Sequence, residues 1–321
     1  MSDGPNRTRN LFGAFGFIVV VGVAATIIVS GTNDDPTQSQ TTASNSAPPT
    51  ATTTSANDDT ADIQDAIYEQ RRELRMPAMS ARSSISSLRS LTADALVGNG
   101  QEPDELRDRI ADRVETIVAA ADRLEAAGDN IDATGSQTGE PGVDTAAVRL
   151  ETLLTRVPDI AEQLRTRATV AQELTDAVIT LHVAADNYAD AADNTPDSTE
   201  VDDLIDDWRD ERSRLNDYHA RANAATDHAP IADHARAHRT LVEELAGVAD
   251  AAIADLEDDD LDAYNVRLDG HLDAVDELID DIEQSLSGAL DGAVAPLEHV
   301  ENRTLGLLVE LDQVREEVNV W

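Results

Sequence analysis

Apolar residues recur at intervals of three and four through most of this chain. From residue 62 onward the spacing is helical everywhere, and nothing alternates with the period of two that a half-buried strand requires. Breaks in the pattern divide it into about seven helices. The first, 62–97, carries Ile63, Ile67, Leu74, Ala78, Ile85, Leu88 and Leu91 on one face. Pro77 predicts a kink in it, because proline removes one backbone bond and crowds the preceding turn. Gly98-Asn99-Gly100 ends it. The second starts at Pro103 and stops at Gly128, with Leu106, Ile110, Ile117, Ala121 and Leu124 as its stripe. The loop 135–142 is a possible subdivision of the domain. A third helix spans 143–193 and is expected to kink or split at Pro158. A fourth covers 199–226, a fifth runs from Pro230 to Asp258-Asp259-Asp260, and a sixth spans 261–290. Gly292 and Pro296 mark the last turn. The seventh helix then places Val300, Thr304, Leu307, Leu311, Val314, Val318 and Trp321 in 4-3 alternation. Such spacing signals bundle or coiled-coil packing. Two architectures satisfy it: hairpins at every break, or four long rods with the breaks near Gly100, Pro230 and Gly292 as mid-rod kinks. The turn-like residues at 98–103 and 292–296 favour hairpins.

The run from Leu11 to Val29 departs from this pattern. It holds nineteen residues and no charge. At helical rise it spans ~28 Å, about the hydrocarbon thickness of a bilayer. It predicts an uncleaved transmembrane anchor, since a signal peptide's apolar core is usually ~7–15 residues; the alternative is a cleaved signal, for which Val29-Ser30-Gly31 supplies acceptable residues before a cut. Arg7 and Arg9 precede it, and positive flanks stay inside, so residues 1–10 are expected in the cytoplasm and the rest outside. The stretch 32–60 contains Pro36, Pro48 and Pro49, and 13 of its 29 residues are Ser or Thr. It offers almost nothing to bury, which predicts a disordered tether. Such stretches serve as O-glycosylated stalks or as plain spacers. The expected fold is therefore all-α: a transmembrane helix, a tether, and an antiparallel helical bundle or coiled-coil-like domain over 62–321.

Charge adds a habitat. The formal net charge is -40, from 24 basic and 64 acidic residues, and every basic residue is arginine. Like charge at this density opposes compaction in ordinary salt. At ~1 M salt the screening length is ~3 Å and the repulsion largely vanishes. The composition resembles that of proteins from extremely halophilic archaea, which implies an acidic surface that stays hydrated in molar salt. The same charge argues against nucleic acid as a partner, which needs clustered cations. With no cysteine, disulfides and lipid attachment through a thiol are excluded.

Candidate chemistry is sparse. His219, His228, His234 and His238 lie close together in the sequence. His234 and His238 are four apart on the apolar stripe of the fifth helix, a spacing that can hold a transition metal inside a bundle. His271 lies on the next stripe, with Asp276 five residues on. His-x3-His followed by His-x4-Asp resembles the second half of the haemerythrin motif. The resemblance implies a di-iron site in a four-helix bundle, with His234, His238, His271 and Asp276 as ligands. The chain departs from that motif upstream, where His219-x3-Asn223 and His182-x3-Asp186 stand in place of His-x3-Glu. The competing expectation is that His234 and His238 are partly buried, neutral seam residues, with no cofactor bound. The runs Asp202-Asp203, Asp206-Asp207 and Asp258–Asp260 match no EF-hand loop and read as solvated faces. Asn302-Arg303-Thr304 is a glycosylation sequon on the side expected to be exported. No residues are assigned to catalysis, and no enzyme activity is expected. Three functions follow as expectations. The first is an anchored structural or interaction protein at the cell surface, bound to the membrane through 11–29 and to other envelope proteins. The second is an extracytoplasmic sensing module that works through a membrane partner. The third is a metal-binding or redox bundle using His234, His238 and His271.

Overall fold

The computed structural model describes residues 56–98, 101–129, 138–193 and 200–319. They form seven α-helices and, among the described residues, no strand. The helices are α1 (Ala56–Val97), α2 (Pro103–Asp129), α3 (Pro141–Leu154), α4 (Val157–Asp193), α5 (Val201–Ala225), α6 (Ala232–Glu257) and α7 (Leu261–Asn319). A 3-10 turn, Ala229–Ile231, leads into α6. The expected anchor and most of the tether lie outside the described residues. No helix among those described is long and apolar enough to cross a membrane. Helix α1 begins at Ala56, so the last tether positions belong to it.

The chain builds two apolar cores, one beyond the other. The first joins α1, α2, α3, the start of α4 and the end of α7, through residues such as Ile67, Leu88, Ile117, Leu150, Leu164 and Leu311. The second joins the end of α4 to α5, α6 and the start of α7, through Leu181, Trp208, Leu215, Val242 and Ala293. Helices α4 and α7 run through both. The α1–α2 and α5–α6 connections are hairpins, with each pair packed side by side.

The expected number of helices is met by a different set of breaks. The expected third helix is split, because Thr155 and Arg156 form a turn. Pro158 then falls in the first turn of α4, where its missing N–H is no loss. The turn expected at 292–296 is absent, and α7 continues for 59 residues with Pro296 inside it. Two features account for this. The carbonyl that Pro296 leaves unbonded belongs to Gly292, four residues earlier. Gly292 itself faces the α5–α6 connection: a Cβ there would lie 3.1 Å from the Pro230 carbonyl oxygen. Glycine at this position admits a neighbouring backbone and does not end the helix. Each architecture is thus partly right, with hairpins at Gly98–Pro103 and Pro230 and a continuous rod through Gly292.

Local chemistry sets the helix ends. Gly98 adopts φ +64 and its N–H donates to the Asp94 carbonyl at 3.1 Å, closing α1 with a left-handed cap. Asp259 takes the same role after α6 at φ 60. Asp260 Oδ1 accepts the Ala263 N–H at 2.9 Å and caps the start of α7. Arginines tie the long helices together. Arg71 Nε donates to the Leu311 carbonyl and its Nη2 to Asp312, both at 2.6 Å. Arg149 grips Glu317 through two nitrogens, a geometry lysine cannot supply.

Candidate metal centre

Three histidines converge near the junction of the cores. His182 lies on α4, and His234 and His238 lie one turn apart on α6. Each offers one ring nitrogen, and these nitrogens all lie within 4.8 Å of one another. The rings of His234 and His238 are 4.7 Å apart and nearly perpendicular. His182 stands 6.1 Å from the first and 6.2 Å from the second.

Neighbouring helices orient the rings. On α7, the Ser285 hydroxyl donates to the Ile282 carbonyl at 2.7 Å. Its oxygen is left to accept from His234 Nδ1, 2.9 Å away. That bond places the His234 proton on Nδ1 and the lone pair on Nε2. His234 Nε2 is buried and has no hydrogen-bond partner. On α5, the Tyr218 hydroxyl pairs with His238 Nδ1. His238 Nε2 is likewise buried without a partner. The Nδ1 edge of His182 faces the cap of α1, 3.7 Å from where a Cβ on Gly98 would sit. The ring also donates a hydrogen bond to the Ala95 backbone carbonyl near that cap. Leaving a buried polar atom unsatisfied costs ~1–3 kcal/mol. The bundle bears that cost twice within one turn of α6.

Burial keeps the cluster neutral. It pushes His182 down to about 4, assisted by the His234 charge and opposed by the Ala95 hydrogen bond. It holds His238 well below the ordinary range, with His234 and His182 adding to the effect. It also lowers His234, against a hydrogen bond that the ring donates to the Ile282 carbonyl. Neutral imidazole is the form that ligates metals. Three nitrogens on a tetrahedral zinc-type ion lie ~3.3 Å apart, given bonds of ~2.0–2.1 Å. Side-chain adjustment of ~1–1.5 Å would close the triangle. One side of His182 is open, where it joins Asp94, Gln101, Leu106 and Asp186 in lining a cleft of about 90 Å³.

His234 and His238 are only 2% and 6% exposed, which corrects the expectation of partial burial. His234 meets α7 at Ser285, whereas His238 pairs with Tyr218 of α5. The other haemerythrin-like positions do not assemble with them in the same way. Ser285 marks the point of α7 that meets His234. The backbone at His271 and Asp276 is fourteen and nine residues away along the same helix, or ~21 and ~14 Å. The side chains at those two positions lie outside the described residues. The third member is His182, which the sequence presents as the start of His-x3-Asp186 beside the stripe of Val178 and Leu181. Periodicity placed it beside a core face and gave no indication of which helix it would meet. Asn302 is exposed midway along α7. Thr304 of the same sequon is fully buried, and its hydroxyl donates to the Val300 carbonyl at 2.9 Å. Asp258–Asp260 forms the linked caps already described, and Asp206 pairs with Arg209. His219 pairs with Glu243 across α5 and α6.

No family model matches the chain, and no curated protein or solved structure matches it either.

Proposed function

We propose that the bundle binds a first-row transition metal ion through His182, His234 and His238. One observation carries the reading: two buried Nε2 atoms without partners, converging with a third imidazole. Seam histidines kept for packing alone gain nothing from unsatisfied nitrogens, and a coordinated ion would satisfy both. The run from Leu11 to Val29 and the spacer after it favour a place for this bundle on the outer face of a membrane. A second reading rests on those same segments: an anchored structural or interaction protein, or a sensing module acting through a membrane partner, in which the histidines only fill a seam.

The deciding experiment is metal analysis of the full chain, purified in detergent and molar KCl, beside the His234→Leu/His238→Leu variant. The metal reading expects about one ion per chain in the wild type. It expects loss of that ion and of its added thermal stability in the variant. A wild type that binds no transition metal, with a variant that melts as high or higher, refutes the metal reading and leaves the anchored-scaffold reading.

A further inference from the structure

Tyr218 brings a hydroxyl into the second core, and that hydroxyl meets a cluster histidine. The residue lies on the buried stripe of α5 with Leu215 and Ala222 and is only 4% exposed. Its ring packs on Tyr188 of α4, with centroids 6.2 Å apart, and edge-on to His238, 5.9 Å away. Phenylalanine would fill the same space. A hydroxyl buried there is costly unless it is hydrogen-bonded, and its partner is His238 Nδ1.

A phenol can donate or accept, so the pair has two arrangements. If Tyr218 donates, the His238 proton sits on Nε2, where it meets no acceptor and closes that nitrogen to a metal. If His238 Nδ1–H donates, Nε2 keeps its lone pair toward the cluster. Burial, and then the charge of Asp186 on α4, hold the Tyr218 hydroxyl protonated. A nearby negative charge draws the hydroxyl proton toward itself and leaves the oxygen lone pairs for His238. Ser285 does the same for the other ring: its proton is committed to the Ile282 carbonyl, and its oxygen accepts from His234.

Resting on the metal-binding reading above, we propose that Tyr218 is a positioning residue of the site: its hydroxyl accepts the His238 Nδ1–H and fixes the ring with Nε2 open to the ion. Metal-bound imidazoles commonly donate their second N–H to a partner in this way. Helices α5 and α7, which both pack on α6, then set the tautomers of its two histidines without supplying a ligand themselves. The donor nitrogens are ready before the ion arrives, and no proton has to change places in the ring.

The test uses the full chain with 15N-labelled histidine, metal-free and with Zn2+, beside Tyr218→Phe and Tyr188→Phe. His238 is assigned by the signal lost in His238→Leu. In the metal-free wild type, the nitrogen shifts should place the His238 proton on Nδ1, as for His234. In Tyr218→Phe the Nε2–H form should appear at His238 while His234 stays as it was. Zn2+ affinity of that variant should fall ~10–100-fold. Tyr188→Phe removes the neighbouring hydroxyl, whose bond is to Glu211, and should keep Zn2+ affinity within about threefold of wild type. A wild-type His238 that carries its proton on Nε2 overturns the proposal, and that measurement needs no tyrosine variant. Zn2+ affinity of Tyr218→Phe within about threefold of wild type, or equal losses in the two tyrosine variants, also overturn it and leave the three-histidine site standing. A wild type that takes up no transition metal overturns the site reading and this inference together.

Discussion

The contact between Gly292 and Pro230 can be tested on a single helix. Replacing glycine by alanine in a helix interior gains ~0.8–1.0 kcal/mol from backbone propensity alone. Gly288, one turn earlier on α7, has nothing within 4 Å of its missing Cβ. Gly288→Ala should therefore realise that gain. At Gly292 the same Cβ would lie 3.1 Å from the Pro230 oxygen and 3.4 Å from its Cα. Those are backbone atoms of a turn fixed between α5 and α6, so they cannot rotate aside. Overpacking of this kind costs ~1–3 kcal/mol. Gly292→Ala should then be neutral to destabilising by ~2 kcal/mol, and the two variants should differ by ~1–3 kcal/mol. A domain of this size shifts its melting temperature by ~2–4 °C per kcal/mol. Thermal melts followed by circular dichroism in molar KCl resolve such a difference. Gly306→Ala, also in open space on α7, is a second control expected to behave like Gly288→Ala. If Gly292→Ala stabilises as much as the controls, the hairpin does not rest on α7 there. The reading of Gly292 as a point of close approach then fails.

Acid should destabilise the metal-free protein through the histidines. Above pH 6.5 His182 is neutral folded and unfolded; between 6.5 and about 4 only the unfolded chain takes up the proton, so stability falls with pH by about 3 kcal/mol. His238, also held well below its ordinary range by burial, adds to the loss in the same direction; melts at pH 7 and 4.5 should show this acid loss in wild type and much less of it in a variant with all three histidines replaced by leucine. Arg71→Ala should cost ~2–3 kcal/mol by chemical denaturation, because it frees the Leu311 carbonyl and one partner of Asp312 in a buried setting. The Asp312 carboxyl is lowered despite burial, through Arg71 and Arg75, and NMR titration of that variant should find it higher than in wild type. With a net charge of -40, helical content should fall on dialysis from molar to millimolar salt, and a salt-independent, cooperative melt would refute the charge argument.

Helical periodicity locates most of the helical segments and most of the buried faces. Ile67, Leu74, Leu88, Ile117, Leu124, Leu311 and Val314 are buried where a 3.6-residue period places them, because that period is a property of the backbone. It also placed His234 and His238 on one face, for the same reason. Whether each break became a turn or a contact depended on how the helices pack. Gly292 and Pro296 carry the same local preferences as a hairpin, and two cores gripping α7 on either side of them outweigh those preferences. Tertiary structure also chose the third histidine. His182 is far from His238 in sequence and meets it across the bundle interior, because α4 and α6 each pack against α5 and α7, whereas His271 shares a helix with Ser285 and is held away from it by the fixed rise of that helix. Spacing along one helix is written locally; which helices become neighbours depends on how whole faces pack, and no single residue's preferences encode it.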